Sequence, residues 1–216
     1  VVSIGTSYAQ KVRKTWDFRN GFSAATVNGL ATDMEQNGAE GSTAHWRSYE
    51  KAGGKPGTES YWNASKPIAT NADGNIVYYV NGEAKVIEEL EGLTPGGMSD
   101  RNFVITYNAT QKEFADSPNG LWPYGKSYIW LNGKKKTLTF KAEKGQNVRI
   151  GIESHKNSEA RGITVSANGT TIEPTEGTAT PITFNEAVFP IPDDTPDVTD
   201  YTDVVITSTN GCHIYY

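Results

Sequence analysis

The side chains best suited to chemistry in this chain lie together in the segment ESHKNSEARG, from Glu153 to Gly162. The segment supplies carboxylates, an imidazole, an ammonium and a guanidinium, and alternating apolar residues flank it on both sides. Alternation with a period of two is typical of strands with one buried face. The segment is therefore predicted to be a polar loop that joins two strands.

Two interpretations of this loop stay open. If the two strands form a hairpin, Glu153 and Arg161 meet at its base as an ion pair, and this structural role is the favoured one for both residues. Alternatively, Arg161, His155 and Lys156 bind an acidic sugar, because the planar guanidinium matches a uronate carboxylate through two hydrogen bonds. His155 and Lys156, at the apex, are available to a ligand in either case.

Aromatic residues offer a second candidate binding surface in NGLWPYGKSYIWLNG. Trp122 and Tyr124 flank a proline in a predicted turn, where an exposed ring can pack against the C–H face of a sugar. The alternative is an aromatic lid over one end of the fold. Tyr128 and Trp130 share one face of a predicted strand, so this pair is assigned to the core.

Metal-binding signals are weak. The segment PDDTPDVTDYTD is rich in aspartate, and calcium is bound by several oxygen ligands, so a structural calcium is one interpretation of it. Its spacing does not match an EF-hand loop. The segment NADGN, residues 71–75, alternates oxygen-bearing side chains but is equally an ordinary turn. No other cofactor is predicted.

Catalytic motifs are also lacking. The 3 histidines do not stand in a zinc-binding spacing, and the sequence has no G-x-S-x-G motif. Cys212 lies in a predicted strand, where a buried and inert thiol is expected. The chain is therefore predicted not to be an enzyme. Glycoside hydrolysis by paired carboxylates stays open, because such pairs meet in space rather than in sequence.

Composition narrows the classes of function further. The 216 residues carry a net charge of −5, which argues against nucleic-acid binding. The single cysteine forbids an internal disulfide, and no apolar run approaches the ~18 residues of a membrane span. Residues 1–9 end in Ser7-Tyr8-Ala9, the small-x-small pattern of a signal-peptidase site. We interpret them as the remnant of an export signal, with a flexible N-terminus as the alternative, and residues 10–216 as one secreted or cell-surface domain.

One short helix is predicted near the N-terminus. Ser23 is a candidate N-cap, and Val27, Leu30 and Met34 follow at helical spacing. Gly29 weakens this prediction because glycine is a poor helix former.

The remaining elements are predicted to be strands. Roughly eight to ten short alternating segments, separated by turn residues, favour an all-β fold. Asn81-Gly82 and Asn210-Gly211 are the pairs that two-residue hairpin turns require. The second hairpin would place Ile206 opposite Tyr215. The predicted fold is a two-sheet β-sandwich, of jelly-roll type, with one short N-terminal helix.

Several segments also resemble a recurring module of secreted bacterial proteins, which occurs alone or beside pectate-lyase-type and related polysaccharide-processing domains. The resemblance covers Trp16 to Tyr216 and is carried by TWDF, SAATVNGL, HWRSYEK, IGIESHKNSEARGI and TNGCHIYY. It implies an exported bacterial β-sandwich with a non-catalytic, carbohydrate-associated role, and it supplies no catalytic residues.

Together these observations predict a secreted, non-catalytic module of a polysaccharide-utilisation protein. Its expected partners are a polysaccharide, including acidic ones such as pectin, and an adjacent catalytic domain. Trp122, Tyr124, His155, Lys156 and Arg161 are the predicted ligand-binding residues. The alternative is a structural or protein-interaction domain at the cell surface that has no glycan ligand.

Overall fold

The structure, a computed structural model, describes residues 14–19, 22–37, 46–50, 60–63, 68–98, 103–105, 128–193 and 200–216. These ranges hold helix α1 (Ala24–Asn37), a 3₁₀ turn (Glu88–Leu90) and 14 strands. The strands are β1 (Arg47–Glu50), β2 (Ser60–Asn63), β3 (Val77–Val80), β4 (Glu83–Val86), β5 (Thr94–Gly96), β6 (Phe103–Ile105), β7 (Tyr128–Leu131), β8 (Thr137–Glu143), β9 (Asn147–Ser154), β10 (Ile163–Ala167), β11 (Thr170–Ile172), β12 (Asn185–Pro190), β13 (Tyr201–Ser208) and β14 (Cys212–Ile214).

The strands form three antiparallel sheets. The largest has seven strands in the order β1-β2-β6-β7-β14-β9-β12, and the second has five in the order β11-β10-β13-β8-β5. Strands β3 and β4 make a separate two-stranded sheet. No helix in the described ranges combines the length and the apolar character that crossing a membrane requires.

The two large sheets enclose one hydrophobic core. Alternate residues of strands β8, β10 and β13 enter it, as the sequence pattern predicted, because successive side chains of a strand point to opposite faces. The cluster includes Ile129, Leu131, Leu138, Phe140, Ile150, Ile152, Ile163, Val165, Ala167, Val204, Ile206, Cys212 and Ile214. Full burial of one such aliphatic side chain stabilises the fold by roughly 1.5–3 kcal/mol. The all-β sandwich prediction is confirmed, and the jelly-roll topology stays a prediction.

The helix begins where its cap residue predicted. The Ser23 hydroxyl accepts a hydrogen bond from the Thr26 backbone N–H at 3.1 Å. Glu89, from the 3₁₀ turn, completes this cap: its carboxylate accepts hydrogen bonds from the Ser23 backbone N–H at 2.6 Å and from the Thr26 hydroxyl at 2.7 Å. Packing explains the glycine at position 29, because a Cβ there would collide with the ring of Tyr78 on β3.

The first Asn-Gly pair forms the predicted hairpin. Asn81 and Gly82 have φ values of 52° and 79°, and Val77 pairs with Val86. The prediction succeeds because β3 and β4, which flank the turn, are also each other's sheet partners.

The second Asn-Gly pair does not form a hairpin, so that prediction was wrong. Strand β13 pairs with β8 and β10 in the five-stranded sheet, whereas β14 pairs with β7 and β9 in the seven-stranded sheet. Neither Asn210 nor Gly211 has a positive φ. Residues 209–211 therefore carry the chain from one sheet to the other, and Ile206 does not lie opposite Tyr215.

The segment 155–162 is a second crossover of the same kind. It leaves β9 in the seven-stranded sheet and enters β10 in the five-stranded sheet, so these strands do not form a hairpin. The predicted Glu153–Arg161 ion pair is wrong for this reason. Arg161 instead binds Glu159, with 2.7 Å between Nη2 and Oε2.

Candidate functional site

The two crossovers lie against each other at one end of the sandwich. The backbone N–H of His155 donates to the Gly211 carbonyl at 3.1 Å, and that of Thr209 donates to the Gly162 carbonyl at 2.8 Å. Gly211 sits among three side chains: a Cβ built on it would lie 3.6 Å from Arg161 Nη1, 3.6 Å from His155 Cβ and 3.7 Å from Trp130 Nε1. These ordinary contact distances place Arg161, His155 and Trp130 around the same point of the 209–211 crossover.

Beside the crossovers, a row of polar and aromatic side chains runs across the outer face of the seven-stranded sheet. Trp130 on β7 pairs with His213 on β14, and His213 pairs with Glu153 on β9. Their neighbours along each strand, such as Ile129 and Ile214, belong to the sandwich core, so this row faces away from it. We call the set formed by Tyr128, Trp130, Glu153, His155, His213 and Tyr215 the outer-face cluster.

Ring contacts hold the cluster together. The imidazole of His155 stacks on the indole of Trp130, with ring centroids 4.3 Å apart and planes inclined by 24°. His155 Nδ1 lies 3.0 Å from His213 Nε2, which is a hydrogen bond between the two imidazoles. On the far side, the Tyr128 ring lies 4.3 Å from that of His213. His155 is half-buried, and it is the member of the cluster that belongs to the 155–162 crossover.

Glu153 is the buried acid of the cluster. Its residue is 2% exposed, and the Tyr215 hydroxyl donates a hydrogen bond to Oε2 at 2.6 Å. Burial raises the pKa of Glu153 to about 7, and the hydrogen bond from Tyr215 opposes that rise. Strand alternation puts Glu153 on the face of β9 that points away from the sandwich core, and other side chains cover that face at this position.

Both histidines are held neutral at pH 7. Burial lowers the pKa of His213 to about 3. Burial also lowers the pKa of His155 to about 4, with further contributions from His213, Arg161 and Lys156. His213 Nδ1 lies 3.9 Å from Glu153 Oε2, a distance too long for a hydrogen bond, and neutral His213 cannot form an ion pair with it. Each neutral imidazole has one donor and one acceptor nitrogen, as the His155–His213 hydrogen bond requires.

Positive side chains gather on the crossover next to His155. Arg161 and Lys156 approach the same oxygen of Glu159, at 2.7 Å and 3.8 Å. The hydrogen bond from Arg161 is the main cause that lowers the pKa of Glu159, and the charges of Arg161, Lys156 and Lys134 add to it. We call Lys134, Lys156 and Arg161 the cationic patch. The charges of three cations act on one carboxylate, which leaves a local positive surplus on a chain of net charge −5.

Arg161 is the most enclosed member of the patch. Its side chain is 11% exposed, whereas those of Lys156 and Glu159 are 56% and 49% exposed. Its Nε is buried and makes no hydrogen bond within the described part of the chain. A guanidinium held this firmly presents its nitrogens in a fixed plane, which is the geometry that a carboxylate can bridge.

The structure brings three of the five predicted binding residues together: His155, Lys156 and Arg161. Trp122 and Tyr124 lie outside the described residues. Sequence reasoning missed Trp130, His213 and Tyr215 as members of this site. Alternation within NGCHIYY could have found two of them, since Cys212 and Ile214 enter the core and the residues between and after them do not.

Among the residues that the structure describes, no group of three or more His, Cys, Asp or Glu side chains could hold a metal ion. Two of the aspartates considered for calcium, Asp194 and Asp197, lie outside those residues. Asp203 pairs with Lys141 at 2.7 Å. A structural calcium stays a prediction.

The fold and the site together describe an all-β sandwich with an enclosed histidine–glutamate cluster and a cationic crossover at one end. No protein-family model, curated protein or solved structure matches the chain. The resemblance to the secreted polysaccharide-associated module thus stays a prediction.

Proposed function

We propose that this chain is a non-catalytic module that binds an acidic polysaccharide, of which a polyuronate such as de-esterified pectin is the representative class. The observation that carries the proposal is the cationic patch, in which Arg161 and Lys156 already bind a carboxylate, that of Glu159. A uronate carboxylate has the same chemistry and would bind the same nitrogens.

The aromatic side chains beside the cationic patch favour a sugar ligand over a small inorganic anion. The Trp130–His155 stack lies directly beside it, and Trp130 is only partly buried. Stacked aromatic rings give a rigid apolar border to a polar site, and pyranose rings need both kinds of surface. Lys134, on the neighbouring β7–β8 turn, extends the positive charge. A polyanion with repeating carboxylates would bind such an extended charge through more than one sugar.

Glu153 fits a structural role better than a catalytic one. A general acid of a glycosidase must reach the oxygen of the bond that breaks. Glu153 is 2% exposed and bonded to Tyr215, so its carboxyl serves the outer-face cluster. We further propose, from the sequence resemblance alone, that the module is exported and acts beside a polysaccharide-processing domain.

The test compares two polymers with the same sugar backbone, one with charged carboxylates and one with neutral methyl esters. Affinity gels or calorimetry with polygalacturonate and with its methyl-esterified form should show binding to the first and weak binding to the second. Replacing one exposed lysine, Lys134→Gln or Lys156→Gln, should weaken binding about two- to fivefold, because an exposed charge pair contributes ~0.5–1 kcal/mol.

A matched control is Lys85→Gln, which removes the same charge from an exposed lysine on β4. It should leave binding unchanged. Arg161→Lys keeps the charge but loses the planar fork, and it should weaken binding more than either patch lysine variant. Equal affinity for the acidic and the esterified polymer would contradict the proposed site. No binding to either would favour the structural or protein-interaction alternative.

A further inference from the structure

The outer-face cluster connects a buried acid to the cationic patch through a short series of side chains. Tyr215 bonds to Glu153, Glu153 lies beside His213, and His213 bonds to His155. His155 directly precedes Lys156, and its backbone N–H is bonded to Gly211 in the 209–211 crossover. A charge that binds at the patch therefore acts on titratable groups that have little solvent around them.

We propose that binding of an anion at the cationic patch is coupled to proton uptake by His155 and Glu153. The inference rests on the proposed function, since the anion is the uronate of the acidic polysaccharide. It adds a regulatory property: the module binds more tightly as the surroundings become more acidic.

The charges that face His155 explain the direction of this coupling. The patch contributes Lys156 and Arg161 on its own crossover and Lys134 from the β7–β8 turn, and the carboxylate of Glu159 offsets them only in part. Burial opposes a positive charge on His155 most strongly, and the charges of Arg161 and Lys156 oppose it further. A bound carboxylate neutralises them, so the imidazolium form of His155 becomes more favourable.

The groups behind His155 carry no positive charge that would oppose its protonation. Strand β14 supplies His213 and the adjoining Tyr215, β7 supplies Tyr128, and β9 supplies Glu153, none of them a cation at neutral pH. When His155 is protonated, its Nδ1–H donates to His213 Nε2, which stays neutral and accepts. The other ring nitrogen of His155, which makes no hydrogen bond within the described ranges, then becomes a donor for the ligand.

Glu153 responds in the same direction but in another pH range. A bound anion disfavours a second negative charge nearby, so it increases the population of the protonated form of Glu153. Its pKa in the free protein is about 7, whereas that of His155 is about 4. Uptake by Glu153 is thus expected around pH 7–8, and uptake by His155 around pH 5.

Calorimetry in two buffers of different ionisation enthalpy measures this uptake directly. Titrations with polygalacturonate oligomers at pH 5 and pH 7.5 should each show uptake of a sizeable fraction of one proton, with affinity rising up to about tenfold per pH unit of acidification. His155→Gln should abolish the uptake at pH 5 and retain that at pH 7.5, and Glu153→Gln should do the reverse.

The outcomes separate the two proposals. Binding to the oligomers without proton uptake at either pH would overturn the coupling and leave the proposed function standing. Absence of binding by the unmodified chain would overturn both. Should a variant fold poorly, NMR titration of the His155 imidazole in the unmodified protein gives the same answer: its pKa must rise when the oligomer is bound, and an unchanged pKa would refute the inference.

Discussion

His155 Nδ1 and His213 Nε2 lie 3.0 Å apart, and this side-chain bond ties the crossover after β9 to strand β14. His213 is 1% exposed and sits between the rings of Tyr128 and Trp130. The pair therefore belongs to the packing of the outer sheet face as much as to any surface chemistry. Its contribution to the fold can be measured separately from ligand binding.

Replacement of His213 by leucine should destabilise the fold at pH 7. Leucine fills a similar volume but removes the hydrogen bond to His155, and loss of one partner of a buried bond costs about 1–3 kcal/mol. Urea unfolding measures the change. The comparison variant is His155→Leu, which removes the same bond but leaves the buried Nε2 of His213 where water cannot replace the lost partner, so it should cost more. Equal losses would show that the hydrogen bond itself, rather than its burial, sets the cost.

The same histidine should make the protein sensitive to acid. The unfolded chain protonates His213 near its ordinary pKa of 6.5, whereas the folded protein resists until about pH 3. The stability that neutral His213 contributes is thus complete above pH 6.5 and is lost as the pH falls below it. His155, whose pKa is also lowered, acts in the same direction, and between pH 6.5 and pH 4 the two histidines together should lower the free energy of unfolding more than the relief of the Glu153 penalty raises it. The decline should be shallower in the His213→Leu variant, and parallel curves would contradict this assignment.

Glu153 should change the free energy of unfolding with pH in the opposite direction to His213. Its pKa is about 7 in the folded protein and near 4.5 when unfolded, so folding favours the protonated form. The penalty is absent below pH 4.5 and grows as the pH rises to 7, where it reaches roughly 3 kcal/mol. Glu153→Gln keeps an oxygen that can accept from Tyr215 and has no charge to bury. The variant should be more stable than the unmodified protein at pH 8 and similar to it at pH 4.5, as thermal melts at the two pH values would show.

The behaviour of Glu153 illustrates what the sequence could predict and what it could not. Alternation along β9 placed Ile150 and Ile152 in the core and Glu153 on the other face, and both assignments are correct. Alternation does not indicate whether the other face of the sheet is exposed to solvent. Here Tyr215 bonds to Glu153, and Tyr216 lies so close over Gly151 that a Cβ there would meet its ring.

The two Asn-Gly pairs illustrate a second limit. Both have the residue types of a hairpin turn, yet only Asn81-Gly82 forms one. Strand β14 pairs with β7 and β9, and strand β13 pairs with β8 and β10, so the two strands belong to different sheets. Pairing with these distant strands outweighs the local preference of Asn210-Gly211 for a hairpin turn. A single sequence without homologues contains the local signal but not the choice of partner, so the meeting of the two crossovers, and with it the site, could not be predicted.

The helix cap offers a test of the fold away from the site. Glu89 accepts hydrogen bonds from the Ser23 backbone N–H and the Thr26 hydroxyl. Glu89→Gln weakens both bonds and removes a negative charge from the helix N-terminus, where it is favourable. We expect a loss of about 1 kcal/mol in the free energy of unfolding. The control is Glu88→Gln, an exposed neighbour in the same 3₁₀ turn. If both variants lose the same stability, the loss does not come from the cap.

Glu159 should compete with the ligand that we propose. Its carboxylate lies 2.7 Å from Arg161 Nη2 and 3.8 Å from Lys156 Nζ, the nitrogens that a uronate would use. Glu159→Gln removes this internal anion and should raise the affinity for polygalacturonate about two- to fivefold, since exposed ion pairs contribute ~1 kcal/mol or less. The control is Glu173→Gln, which removes the same charge from an exposed residue just after β11. If Glu159 instead serves to orient Arg161, the variant will bind more weakly than the control. Affinities measured at several salt concentrations distinguish these outcomes, because a gain from removed competition shrinks as salt screens the exposed charges.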